Sequence, residues 1–296
     1  MKVVFYGNYA IKQVRPIYEA AGWKCDEYKE TGGSLLAKLR ELLKLISADC
    51  VYIVSGCDVQ STCAYRLALK LKKKVIVHWI GTDVLRIRED YYKNPRKINS
   101  ECENYAVVSW LKDELDEIGI HSEELPIVPF DISYECDEIP ERHRILTYIP
   151  KHRAKFYNYE LTKRLAAQLP EVKFYVVGND GMDDHEKLQN VEYLGWLDRE
   201  QIQTLIKKCT ILFRYPEHDG LPRMIIEALA AGRDVVYRYK YPYVNTPPSE
   251  KFEDVFIKLK EILDKKPSVN YEAEKYIKEN FSLEKMTERY REYGLV

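Results

Sequence analysis

The chain has 296 residues, 46% of them apolar and 31% charged, with 46 Lys and Arg against 47 Asp and Glu. That length suits one large domain or two of roughly 130 to 150 residues, and the composition excludes disordered and fibrous classes. Near-zero net charge argues against a protein that coats nucleic acid through bulk charge, so no nucleic-acid partner is expected. Tyrosine is overused: 24 Tyr stand against 8 Phe.

The opening Met1-Lys2-Val3-Val4-Phe5-Tyr6-Gly7 is too short for a signal-peptide core and reads as a first buried strand. A helix follows over 11–21. Residues 35–46 carry Leu35, Leu36, Leu39, Leu42, Leu43 and Ile46 at the 3.6-residue period of an amphipathic helix. The next elements are a strand at 51–54, a helix at 62–71, a strand at 75–79, a strand at 105–108 and a helix at 111–118. Strands separated by helices imply a parallel sheet covered on both faces. A polar, acidic, proline-bounded connector at 131–142 interrupts this rhythm. The alternation then restarts with strands at 145–149, 172–177, 191–194, 211–213 and 235–237. Helices are expected at 157–169, 199–207 and 223–231, and three more at 252–263, 271–279 and 283–293. Ser282 reads as a helix N-cap with Lys285 where a capping box needs Glu, hence half a cap. The expected fold class is α/β, with two Rossmann-like domains. The expected domains are 1–130, 143–278 and a last helix, 279–296, that returns to the first domain.

No stretch approaches a membrane span, since the longest apolar run is Val75-Ile76-Val77-His78-Trp79-Ile80. Seven scattered cysteines give neither a disulfide scaffold nor a zinc site. The expectation is a reduced, cytoplasmic protein without a metal or other cofactor.

Chemistry concentrates in the segment from Tyr215 to Gly232. It leaves a strand and opens a helix, with Pro222 suited to the first helical turn. Unpaired amides at such a helix start make an anion site, and Gly220 lets backbone approach a phosphate closely. Asp219 precedes the helix and Glu227 lies inside it, where a carboxylate can accept both hydroxyls of a ribose. The plainer alternative makes Asp219 a helix cap and Glu227 a surface residue. His78 ends a predicted central strand, the edge where open α/β sheets bind ligands, and Asp83 follows in the Gly81 loop. Here the alternative is a packing histidine with its hydrogen bonds satisfied inside the core. Gly7 and Asn8 end the first strand, and Thr31-Gly32-Gly33-Ser34 opens a helix, so both loops are expected at the ligand edge. Neither holds a dinucleotide fingerprint.

Several segments, in chain order, resemble the retaining glycosyltransferases of family 4, which have the GT-B fold of two Rossmann-like domains facing across a cleft. The residues that carry the likeness are His78-Trp79-Ile80-Gly81-Thr82-Asp83, Val107 to Leu115, Val176 to Gly181, Val191 to Asp198, Asp219 to Glu227 and Tyr276 to Lys285. The resemblance implies that Glu227 holds the donor ribose, and that Gly220, Leu221, Pro222 and the following turn meet a diphosphate. It implies that His78 approaches the donor sugar, that Asp219 bonds its hydroxyls, and that Asp83 shapes the sugar or acceptor side. Gly178 lies in the family's glycine loop. Two positions depart from the pattern: Asp219 stands where the family usually has Glu, and Tyr148 where it has Arg. Arg153 and Lys155 are the candidates for the family's Lys, against the plainer reading of a solvated basic loop.

The resemblance implies transfer of a sugar from a nucleoside-diphosphate donor to a glycan or lipid-linked acceptor, with retention and without metal. An epimerase or hydrolase of the same fold, or a catalytically weak nucleotide- or sugar-binding protein, are the alternatives. Lys38, Arg40 and Lys44 beside the leucine helix, with basic stretches near 66–74 and 86–97, suggest contact with an anionic membrane at its cytoplasmic face. The competing reading turns those leucines into the core and leaves the lysines solvated.

Overall fold

The computed structural model describes residues 1–7, 10–30, 34–56, 62–93, 102–129, 138–181 and 188–296. Asn8, Thr31 to Gly33, Arg96, Lys97 and most of the expected connector lie outside these residues. The chain divides into two compact units: Met1–Pro129 with His218–Leu221 and Phe281–Val296, and Phe130–Glu217 with Pro222–Asn280.

The first unit is built on a parallel sheet. Its elements are β1 (Lys2–Gly7), α1 (Ile11–Ala20), β2 (Lys24–Glu27), α2 (Leu35–Ile46), β3 (Cys50–Val54), α3 (Cys63–Lys70), β4 (Lys74–Trp79), α4 (Thr82–Lys93), β5 (Glu103–Ala106), α5 (Ser109–Asp116) and β6 (Glu123–Glu124). The strand order is β2-β1-β3-β4-β5-β6, so the direction of winding reverses between β1 and β3. Register pairs Phe5 with Tyr52 and Val54 with His78. Helices cover both faces, so β1 and β3 are apolar throughout their middles, and Val3, Val4, Phe5, Val51 and Val54 are fully buried. Each such side chain contributes about 1.5 to 3 kcal/mol relative to exposure.

The second unit holds β7 (Arg144–Tyr148), α6 (Tyr159–Gln168), β8 (Lys173–Val177), β9 (Val191–Gly195), α7 (Arg199–Lys208), β10 (Ile211–Arg214), α8 (Arg223–Ala230), β11 (Asp234–Tyr237), α9 (Phe252–Leu263) and α10 (Tyr271–Phe281). Its parallel sheet has the order β11-β10-β7-β8-β9, reversing between β7 and β10. Ile145, Phe174, Ile211 and Phe213 meet Leu165 of α6 and Val255 and Leu259 of α9 in its core. α7 starts with a complete capping box between Asp198 and Gln201.

The last helix, α11 (Leu283–Glu292), belongs to the first unit. Ser282 caps it by accepting from the Lys285 amide, the half cap expected from sequence. Its Tyr290 is buried, with its hydroxyl 3.3 Å from that of Tyr52 and 3.3 Å from the Pro126 carbonyl to which it donates. The tyrosine excess is used partly in this core: Tyr18 sets its ring edge-on to Phe5, Tyr52 and Tyr290.

Three elements were not foreseen. β2 is Lys-Cys-Asp-Glu and β6 is Glu-Glu, polar edge strands that carry no apolar signature. α4 takes up most of the basic stretch at 86–97, for which no helix was expected.

The orientation of α2 overturns the reading that buried its leucines. Leu35, Leu36, Leu39, Leu43 and Ile46 are 45–83% exposed, while Glu41 and Leu45 are buried. The opposite face is held to the β2 side by polar contacts. Glu41 accepts from the Lys29 amide at 2.9 Å and pairs with Lys44 at 2.8 Å. Lys44 also donates to the Glu27 carbonyl at 2.8 Å.

Candidate functional site

In an open α/β sheet, ligands collect beyond the carboxyl ends of strands where the winding reverses. In the second unit that place is the end of β7 and β10. The chain leaves β7 through Tyr148 and Pro150 into a turn of 3-10 helix, Lys151–Arg153. Asn158, in the left-handed region at φ 51°, donates its side-chain amide to the Tyr215 carbonyl at 2.8 Å. The Glu217 amide donates to the Phe156 carbonyl at 2.8 Å, so the loops after β7 and β10 are tied together.

A cationic and aromatic cluster sits on these loops. Arg214, the last residue of β10, holds its guanidinium 5.6 Å from the Tyr148 ring centre and 5.3 Å from that of Tyr157. Arg153 lies 4.0 Å over Phe156. Tyr148 also meets Tyr157 edge-on and Trp196, which is 71% exposed. Lys151 pairs with Asp180 at 3.3 Å. Arginine stays charged at all working pH values and can bond through its N–H edge while a ring covers its face; Arg214 is buried here, at 6% exposure. Gly178 has φ +87°, and a β-carbon there would lie 3.1 Å from the Pro150 Cα, so glycine lets β8 end close beneath this loop. Tyr148, Arg153 and Gly178 are thus brought together, and Lys155 lies exposed on the same loop. Arg214 and Trp196 escaped assignment from sequence. The available signal was a charged residue ending the apolar run Ile211-Leu212-Phe213-Arg214.

α8 starts at Arg223, the start expected from sequence. Pro222 precedes the first turn, at φ −69° and ψ 139°, and no side chain caps the helix. Glu227 is only 4% exposed, which overturns the surface reading. Arg223 donates to its Oε1 at 2.9 Å, and Arg199 approaches the same oxygen at 3.7 Å.

Residues 218–221 pack within the first unit. A β-carbon on Gly220 would fall 2.1 Å from the Ile80 carbonyl oxygen, and one on Gly81 would lie 3.0 Å from the Gly220 amide. Trp110 donates its indole N–H to the Asp219 carbonyl at 2.9 Å. The Asp219 carboxylate accepts from the Gly220 amide at 3.1 Å, so it organises its own turn and does not cap α8. Leu221 is buried. His218, unassigned from sequence, has Nε2 2.8 Å from Glu114, which itself meets Arg88 at 3.3 Å.

The remaining first-unit candidates have structural partners. His78 is fully buried, with Nδ1 2.5 Å from the Tyr52 hydroxyl and Nε2 2.7 Å from the Leu125 carbonyl. Burial pulls its pKa down to about 3, so the ring is neutral and both nitrogens are occupied in the core. This arrangement matches the packing reading, not the sugar-facing one. Asp83 is buried as well, and accepts from the amides of Gly56 at 2.9 Å, Ile80 at 3.1 Å and Gly81 at 2.7 Å. Burial raises its pKa against those hydrogen bonds, and its geometry assigns it to folding the Gly81 loop. Gly7 sits at the first sheet's reversal point with φ +142°; a β-carbon there would fall 2.2 Å from the Val54 carbonyl oxygen. Among the described residues no group of three or more His, Cys, Asp or Glu could hold a metal ion, and no helix is long and apolar enough to cross a membrane.

No family model matches the chain, and no curated protein matches it. Solved structures do. Anabaena HepE, determined with UDP and glucose, aligns at a TM-score of 0.65 with 14% identity, covering 99% of this chain and 98% of that one. Sucrose-phosphate synthase from Thermosynechococcus elongatus aligns at 0.69 with 11% identity, covering 99% and 98%. The chain has the GT-B fold. S. aureus TarM, in a complex that includes UDP, aligns at 0.62 with 14% identity, covering 85% of this chain. There the present chain spans only 58% of the neighbour's length. At these identities the likeness establishes the GT-B fold and leaves activity to the residues.

Proposed function

We propose that this chain is a retaining glycosyltransferase that moves a sugar from a nucleoside-diphosphate donor to a glycan or lipid-linked acceptor, without a metal. The observation that carries the reading is the cationic, aromatic edge at the reversal point of the second sheet, where Arg214 and Arg153 stack on Tyr148, Tyr157 and Phe156. The arginine the family places at the end of β7 is replaced by a ring, and the cation comes from the neighbouring strand β10. Two guanidinium groups and the uncapped start of α8 would balance the charge that builds on a departing diphosphate. Glu227 takes the ribose: Arg223 and Arg199 approach Oε1, and the reading gives Oε2 to the two hydroxyls. Trp196 and Tyr148 offer faces for a base or sugar.

In this reading the acceptor attacks on the face from which the diphosphate departs, and the leaving phosphate oxygen takes the acceptor's proton. The protein contributes positioning and charge stabilisation, and it supplies no covalent nucleophile. A second reading, a nucleotide-binding protein with little turnover, draws on the engagement of both His78 nitrogens in the core. The two separate in one experiment, which measures release of nucleoside diphosphate from a panel of nucleotide sugars, with and without a panel of acceptors. Release that depends on acceptor supports transfer. Release without acceptor supports hydrolysis, and donor binding with no release supports the binding protein.

A further inference from the structure

The outward face of α2 has no place in the donor chemistry. Leu35, Leu36, Leu39, Leu43 and Ile46 are all exposed, and with half-buried Leu42 they span an arc of roughly 120° at 100° per residue. Lys38 and Arg40, both exposed, stand about 40° beyond the two borders of that arc. The helix contains one acidic residue, Glu41, and it is buried and paired with Lys44 on the opposite side. A groove beside the helix sets Arg40 next to Leu36, Leu39 and Leu43, while Lys2 and Lys44 in the same groove pair with Asp26 at 3.6 and 3.7 Å. An apolar stripe between two cationic borders, on a helix of 12 residues, has the form of an element lying in a membrane interface rather than crossing it.

We propose that α2 docks this chain on an anionic lipid bilayer, with its leucines among the acyl chains and Lys38 and Arg40 at the headgroups. The charge pattern selects this occupant. A second copy paired through the same face would bring cationic borders together, whereas an anionic surface complements both at once. The helix is fixed in this attitude by the contacts of Glu41 and Lys44 with the β2 side, so its leucines face outward in the folded protein. The proposal is independent of the donor reading, because it concerns adsorption of the chain and not turnover.

The test is flotation of the full chain with vesicles of phosphatidylcholine alone and of phosphatidylcholine mixed with phosphatidylglycerol, at low and high salt. Binding to the mixed vesicles is expected, weakened by salt. Lys38→Glu with Arg40→Glu should weaken it at least about tenfold, since each cation near an anionic surface is worth roughly fivefold. Leu39→Asp with Leu43→Asp should weaken it at least about tenfold through lost apolar burial. All four side chains are exposed, so the variants should keep the parent's circular dichroism and melting temperature. Binding that ignores lipid charge, or that survives both variants, would overturn the proposal. So would a chain that floats with neither vesicle, whether it stays monomeric or forms a dimer that Leu39→Asp with Leu43→Asp dissolves.

Discussion

At the scale of single residues, burial decides what a polar group can do. His78 lies at the ligand edge in sequence terms, yet its ring points into the first unit's core and bonds Tyr52 and the Leu125 carbonyl. Its folded pKa, about 3, lies below the unfolded value near 6.5, so the unfolded chain takes up the proton first. Stability from this residue is therefore complete above about pH 6.5 and is lost as pH falls from there towards 3. Thermal melts should show a falling midpoint across that window, and His78→Asn, less stable at neutral pH, should show a shallower slope. Gly220 makes the converse point, because the residue was legible and its reason was not. The sequence marked it for phosphate approach, and the structure shows the Ile80 carbonyl where a side chain would go. Gly220→Ala should cost about 1 to 3 kcal/mol through this clash, measured by denaturant unfolding. Neither partner could be read from sequence, since Leu125 and Ile80 are distant positions brought close by folding.

At the scale of elements, apolar periodicity located every strand and helix with a strong pattern, and α2 and α9 match their expected bounds to the residue. It failed where pattern and burial part company. β2 and β6 are edge strands whose polar residues hydrogen-bond through backbone alone. α2 has the strongest apolar stripe and turns it outward, because Glu41 and Lys44 find backbone partners at β2 that a leucine cannot offer. Periodicity reports that a helix has two unlike faces and is silent about which one meets the sheet. Capping is the more local signal: Ser282 was legible as half a cap, whereas the full box on α7 was not read from sequence. Asp198 and Gln201 close α7 reciprocally, and Asp198→Ala should cost about 1 kcal/mol, measured as a lowered melting midpoint.

At the scale of the whole molecule, two parallel sheets, each with one reversal of winding, set where ligands can be met. Alternation of strands and helices made that architecture legible. The return of the last helix to the first domain was an expectation of the chain reading, although nothing in the residues of α11 names its partner. Phe281, Met286, Tyr290 and Leu295 are buried. Deleting 281–296 should expose Tyr18 and Tyr52 and lose several side chains worth about 1.5 to 3 kcal/mol each. A chain ending at residue 280 should then show a lost or strongly lowered first-unit transition in calorimetry. The proposed donor site was only half legible: Glu227, Arg153 and Tyr148 stood in recognisable segments, while Arg214 reaches the same edge from a strand 66 residues after Tyr148, a pairing that only sheet order reveals. The central claim is that this edge of the second unit binds a nucleoside diphosphate. Its most direct test is calorimetric titration of UDP, GDP, ADP and dTDP into the full chain and into folded Glu227→Ala. One of them should bind the parent and bind the variant at least about tenfold more weakly, the loss expected for a charge-assisted hydrogen bond. Failure of all four to bind the parent, or equal binding by the variant, would contradict the claim.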